Sequence, residues 1–263
     1  MNWMKVKIIL IILFLLINIL LVGVIISKQY TNTPYTDGVS EDIKDIMTSI
    51  GITVPENLIS TKSYSAKTAD AYPITSDNSK FLQTLKTKSS LSEKGNYIYN
   101  GSEVSFYDSL VHFENSDKSI TDAETFFSLM GIDFSNAVLI SRDTQDDKFI
   151  YNYTETYEDY EIFGAYAKVT VFEGYITGAD IIWYEINPNN TRNAKTISNA
   201  EALLEFASDK GRGNKPCSVS DITLGYSVDA GGENAAVSQM VPCIRITTDI
   251  GSSFYYDART PEQ

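Results

Sequence analysis

The side chains that could do chemistry are mostly carboxylates. Residues 143–147 and 155–161 form two acidic clusters, each able to supply a general acid and a general base or to hold Ca²⁺ through oxygen ligands. Neither has EF-hand spacing, and both fall where hairpin turns are expected, so a solvated turn is the simpler reading. His112 is the only histidine. It stands between Val111 and Phe113 in an expected strand, where a hydrogen-bonded or surface histidine fits better than a catalytic base. A single histidine excludes multi-histidine metal sites and leaves a serine or cysteine triad little room. No G-x-S-x-G, H-E-x-x-H, P-loop or dinucleotide fingerprint occurs. The sequence therefore predicts no enzyme, no cofactor and no metal.

Cys217 and Cys243 are the only cysteines. In an oxidising compartment they are a candidate disulfide. Two separate half-buried thiols are the other reading, and the sequence does not choose between them. Tyrosines 151, 153, 157, 160, 166, 175 and 184 could line a groove for carbohydrate or peptide. They could equally be the half-buried faces of a sheet, which favours tyrosine.

The elements that must carry these residues start with an anchor. Ile8 to Ile26 is 19 residues without a charge, long enough as a helix to span roughly 28 Å of hydrocarbon. No small-residue cleavage site follows it, so it predicts an uncleaved transmembrane helix. Lys5 and Lys7 before it place the N-terminus in the cytoplasm and the rest outside the cell membrane, and Trp3 and Tyr30 sit where interface aromatics belong. Asn18 lies near the bilayer centre, where a carboxamide usually finds a partner on another helix. Beyond the anchor, residues 29–263 carry 18 basic and 34 acidic residues, a net charge of −16. That argues against nucleic acid and anionic lipid as partners.

The exported part is expected to be α+β. Residues 40–50 carry Ile43, Ile46, Met47 and Ile50 at helical spacing, and residues 77–87 form a short helix with Phe81, Leu82 and Leu85 inward. Thr121 with Glu124, and Ser198 with Glu201, read as capping boxes opening two further helices. Each is followed by strand, acidic or glycine-rich loop, strand, tight turn and strand, which suggests a duplicated helix-plus-antiparallel-sheet unit. The expected organisation is 1–30 tail and anchor, 31–118 a first α+β segment, and 119–263 two repeated units, 119–188 and 189–263. Residues 188–192 are expected to link the units.

The opening Asn2-Trp-Met-Lys-Val-Lys7, with the central Asn18, resembles the N-terminus of the YycH/YycI family of regulatory proteins, YycI in particular. Similar stretches recur towards the C-terminus: Glu201-Ala-Leu203, Leu224-Gly-Tyr226, Val241-Pro-Cys-Ile-Arg-Ile246 and Phe254-Tyr-Tyr-Asp-Ala258. The chain departs from the family pattern at Cys243, Ile244 and Asp257. The resemblance implies an accessory membrane component of the WalK/WalR (YycG/YycF) two-component system of Gram-positive bacteria, which controls cell-wall metabolism. Its partners would be a WalK-like sensor histidine kinase, met through transmembrane and extracytoplasmic contacts, and a YycH-like protein. The alternative is an extracytoplasmic binding module for a cell-wall fragment or peptide.

Overall fold

The computed structural model describes residues 36–213, 215–229 and 238–260. The expected anchor, with Asn18 and the interface residues Trp3, Lys5, Lys7 and Tyr30, lies outside the described residues. Among these, no helix is long and apolar enough to cross a membrane.

The described chain opens with α1 (Thr36–Ser49), the two-residue strand β1 (Ile52–Thr53) and a 3-10 turn (Glu56–Leu58), then β2 (Ser65–Pro73) and α2 (Lys80–Lys88). Four short strands follow, β3 (Ser90–Leu91), β4 (Tyr97–Tyr99), β5 (Ser102–Tyr107) and β6 (Leu110–Asn115), and then α3 (Ala123–Met130). Next come β7 (Ala137–Gln145), β8 (Lys148–Tyr157), β9 (Tyr160–Glu161), β10 (Tyr166–Phe172), β11 (Tyr175–Ile182) and β12 (Tyr184–Lys195). After α4 (Asn199–Ser208) and a second 3-10 turn (Lys210–Arg212) come β13 (Cys217–Asp229), β14 (Ser238–Thr248) and β15 (Ser253–Asp257). The class is α+β with largely antiparallel sheets, as the patterning predicts.

The strands form two sheets. The larger has nine strands in the order β3-β4-β5-β6-β11-β10-β8-β7, with β9 paired to β8. The smaller has six, β1-β13-β14-β2-β12, with β15 on β14. Only the β1–β13 pair among them is parallel, Ile52 opposite Cys217. The N-terminal α1 and β1 thus pack in the C-terminal unit. The chain changes sheet at Trp183, between β11 and β12. That indole is buried against Phe134, with centroids 5.0 Å apart, and donates to the Asp133 carbonyl at 3.0 Å.

Helix burial follows the apolar stripes. Phe81 and Leu85 of α2 and Phe126, Phe127 and Met130 of α3 pack against Val104, Phe113, Val169 and Ile181 of the larger sheet. On the smaller sheet, Ile43 and Met47 of α1 and Leu203 and Phe206 of α4 pack against Val219, Ile244 and Ile246. Ile46 and Ile50, expected on the buried face, remain exposed, because α1 meets the sheet on a narrower face than the stripe. The Ser198–Glu201 capping box is formed, whereas α3 is capped by Asp122, which accepts from Thr125 N–H at 2.8 Å, and not by Thr121. Residues 188–192 are not a linker. They lie within β12, where a bulge between Asn187 and Thr191 absorbs Pro188 while both flanks stay paired with β2.

Candidate docking groove between the two sheets

The first acidic cluster is a turn, as its position predicts. Asp146 and Asp147 occupy the left-handed conformation in a two-residue hairpin between β7 and β8. The second cluster divides. Glu158 and Asp159 turn the chain the same way between β8 and β9, and Glu158 pairs with Lys67. Glu161 pairs with Arg245 at 3.0 Å, and that guanidinium lies over the Phe163 ring at 4.6 Å.

Glu155 is placed quite differently from a solvated turn: it is 2% exposed, inside β8. Its carboxylate accepts from Tyr184 N–H at 3.0 Å. Burial pushes this carboxyl well above the usual range, the charge of Asp133 adds to the effect, and the Tyr184 bond opposes it. Hydrogen bonding from Ser135 holds Asp133 below its ordinary value. Oppositely shifted carboxyls are what an acid–base pair needs, but Glu155 is closed off from solvent.

His112 is half-buried on β6 and meets Asp180 of β11 through Nδ1 at 2.6 Å. Ser105 of β5 is its cross-strand neighbour on the other side, so serine, histidine and aspartate lie in one row across the sheet. No hydrogen bond joins Ser105 to His112, so the row lacks the nucleophile–base contact of a triad. The Cys217 and Cys243 thiols are separate. Cys243 stands opposite Gly225, eight positions along β13 from Cys217 and so about 27 Å away at strand rise. Among the described residues no cluster of histidine, cysteine and carboxylates could hold a metal ion.

The tyrosines do not gather into one groove. Tyr151 and Tyr153 pack on the core of the larger sheet. Tyr157 and Tyr160 close edge-on around the buried Tyr226, at 5.4 and 6.3 Å. This cluster belongs to the joint between the sheets, where Phe163 N–H donates to the Tyr226 carbonyl at 2.7 Å.

Beside that joint lies a groove of about 570 Å³, walled by Val138 and Ile140 of β7, Tyr160 and Glu161 of β9, and Ile222 and Leu224 of β13. Thr154 and Thr156 of β8 lie between these walls, and Tyr64, Asp159, Asn199 and Thr223 complete the lining. The groove lies over the faces of the paired strands, with Val138 opposite Thr154 and Thr156 opposite Glu161. β7 ends the larger sheet, and no strand among the described residues pairs with its outer edge. The second edge of β13 pairs with β1 at Cys217 and Ser218 and bridges Ile162 at Tyr226; between them β9 lies close without strand pairing. Val138, Leu139 and Ile140 are exposed by 46, 50 and 64%, on an edge that natural sheets usually blunt with charge. Sequence reasoning missed this groove because its walls come from two sheets, although the run Val138-Leu-Ile140 was a signal.

No family model matches the chain. No curated protein matches it either. Among solved structures, an uncharacterised protein from Eubacterium rectale is 12% identical, aligned over 76% of this chain and 86% of its own, with a TM-score of 0.44. The Bacillus megaterium YpeB C-terminal domain is 11% identical over 84% and 92%, with a TM-score of 0.28.

Proposed function

We propose that this chain is a membrane-anchored accessory regulator of a sensor histidine kinase, engaging the kinase through its N-terminal helix and its exported domain. The family resemblance supplies the partner, with a YycH-like protein as a second one. In this reading the N-terminus is cytoplasmic and the domain lies outside the cell membrane. The two helix-and-meander units, α3 with β7 to β11 and α4 with β13 to β15, are copies of one element. The observation that carries the role is the groove: exposed aliphatic side chains of β7 facing those of β13 beside a carboxylate rim suit docking of another chain. Asp146 and Asp147 serve a turn, and Glu158 and His112 serve pairs within the fold, with Lys67 and Asp180.

Co-purification of the kinase from membranes tests this, with the wild-type chain, Asn18→Leu and Ile140→Asp. Both substitutions should lower kinase recovery, the first through the helix and the second through the groove. Undiminished recovery with both would overturn the proposal. The second reading, a module for a cell-wall peptide, is favoured by the tyrosines at the groove's walls, Tyr64 and Tyr160. It predicts that soluble muropeptide binds the chain in the absence of the kinase.

A further inference from the structure

We infer that the pocket where the bulge of β12 meets the N-terminal end of α2 and the loop after α3 binds an N-acetylated amino sugar, recognised by its acetamido group. This site is separate from the groove beside β7 and asks nothing of the kinase.

Three observations carry it. First, the pocket holds about 500 Å³, a size that suits a small ligand, and its walls are tied to one another. Glu185 of β12 accepts from the Lys80 and Phe81 N–H groups of α2, each at 3.0 Å, so its carboxylate is spent on that helix end. Trp183 fixes the loop after α3 to the start of β12 through the Asp133 carbonyl. A ligand therefore meets a preformed site and orders little on binding. Second, the bulge builds the polar wall. Asn187 pairs with Asp70 and pairing resumes at Thr191 opposite Ala69, so Pro188, Asn189 and Asn190 are extra to the ladder. The first two of these line the pocket together with Asn187. Asn187 Oδ1 accepts from the Asn189 N–H at 3.1 Å, which turns the Asn187 amide to use its NH₂ as a donor. Third, the lining offers donors and acceptors without a net pull on charge. Lys80 lines the pocket, and no ion pair among the described residues uses its ammonium. Asp133, bonded to the Ser135 N–H, supplies a carboxylate. One cation set against the Asp133 and Glu185 carboxylates favours neither an anion nor a cation. An acetamido group matches this lining: its carbonyl accepts from Lys80 or Asn187, its N–H donates to Asp133, and its methyl meets Ile186 and Pro188. Tyr72, the cross-strand partner of Glu185, adds an aromatic ring on which the C–H face of a sugar packs. A peptide offers the same amide but not the ring hydroxyls that Asp133 and the asparagines can share.

The test uses the full-length chain in nanodiscs, titrated with N-acetylchitotriose and followed by saturation-transfer NMR, with empty nanodiscs as the control. The expected result is saturable binding, with the acetyl methyl protons receiving the largest transfer. Cellotriose, which has the rings without the acetamido groups, should bind about tenfold more weakly or less. Asn189→Ala and Lys80→Gln, both at exposed positions, should each weaken binding about fivefold or more without shifting the thermal midpoint. No saturable transfer at tens of millimolar sugar would overturn the inference, and so would equal binding of cellotriose. Undiminished binding by both variants would place any sugar elsewhere and overturn the site. Displacement of the sugar by N-acetylalanine methylamide at a lower concentration than the sugar itself needs would make the occupant a peptide, and the inference would fall. Kinase recovery, whether found or not, leaves each of these outcomes readable.

Discussion

Gly225 of β13 lies against the outer edge of the Phe163 ring. A Cβ on Gly225 would stand 2.5 Å from Phe163 Cζ and 2.6 Å from the Glu161 carbonyl oxygen. The Leu224-Gly-Tyr226 stretch is therefore explained by close approach between the two sheets, with Gly225 admitting the segment that Tyr226 then binds through its carbonyl. Gly225→Ala should force that joint apart and destabilise the fold by about 2–3 kcal/mol, lowering the thermal midpoint by several degrees. Adding Phe163→Ala should restore only part of the loss, because the carbonyl contact is backbone. Thermal melts of the two single variants and the double variant read this out; fully additive losses would show that Gly225 and Phe163 are not coupled.

Glu155 should make stability pH-dependent in an unusual direction. The unfolded carboxyl titrates near about 4.3, and burial raises the folded value well above that. Between the two, the native state keeps a proton that the unfolded chain has lost. This contribution is greatest below the unfolded value and is lost as pH rises through the folded one. Glu155→Gln, whose amide oxygen can still accept from Tyr184 N–H, removes that loss. The variant should melt above wild type at pH 7.5 and close to it at pH 4. A variant destabilised equally at both pH values would show that the carboxyl is not raised.

The two helix caps separate what spacing suggests from what the backbone does. Ser198→Ala should cost about 1 kcal/mol by freeing Glu201 N–H and removing the hydroxyl's own bond to the Glu201 carboxylate. At α3 the sensitive residue should be Asp122, with Asp122→Ala costing about as much and Thr121→Ala close to neutral. Chemical denaturation of the three variants gives the comparison. A Thr121→Ala loss equal to that of Ser198→Ala would move the cap back to the residue that the box pattern names.

Local signals were legible in the sequence, and long-range ones were not. The stripe of α2 and the Ser198 cap follow from neighbouring residues and are found, and Asn100-Gly101 and Glu173-Gly174, turn residues followed by glycine, adopt positive φ. The pairing of Ile52 with Cys217 joins residues far apart through a two-residue strand, and no local pattern encodes it. Glu155 sits in a run of acids and tyrosines that reads as a loop, but strand alternation turns it inward while Glu158 and Asp159 turn out. The Pro188 segment reads as a linker because a proline cannot donate to a ladder; the bulge at Asn187 removes that objection. The groove is made by tertiary contact alone.

The two cysteines provide a last separation, between a bridge and two thiols. With about 27 Å of ladder between them, they cannot meet without unfolding β13 from β14. Cys243 is also buried, and burial pushes its thiol up to about 11, so at pH 8 only about one molecule in a thousand carries the reactive thiolate there. Cys217 is only partly buried. Native chain treated with iodoacetamide at pH 8 should therefore be modified at Cys217 and spared at Cys243, and denatured chain should be modified at both without prior reduction. Peptide mapping by mass spectrometry locates the label. Dithiothreitol should leave the thermal midpoint unchanged, since no bridge constrains the unfolded chain. A Cys217–Cys243 linked peptide in the unreduced digest would contradict the β13–β14 register itself, because that register cannot hold both the Gly225–Cys243 pair and the bond.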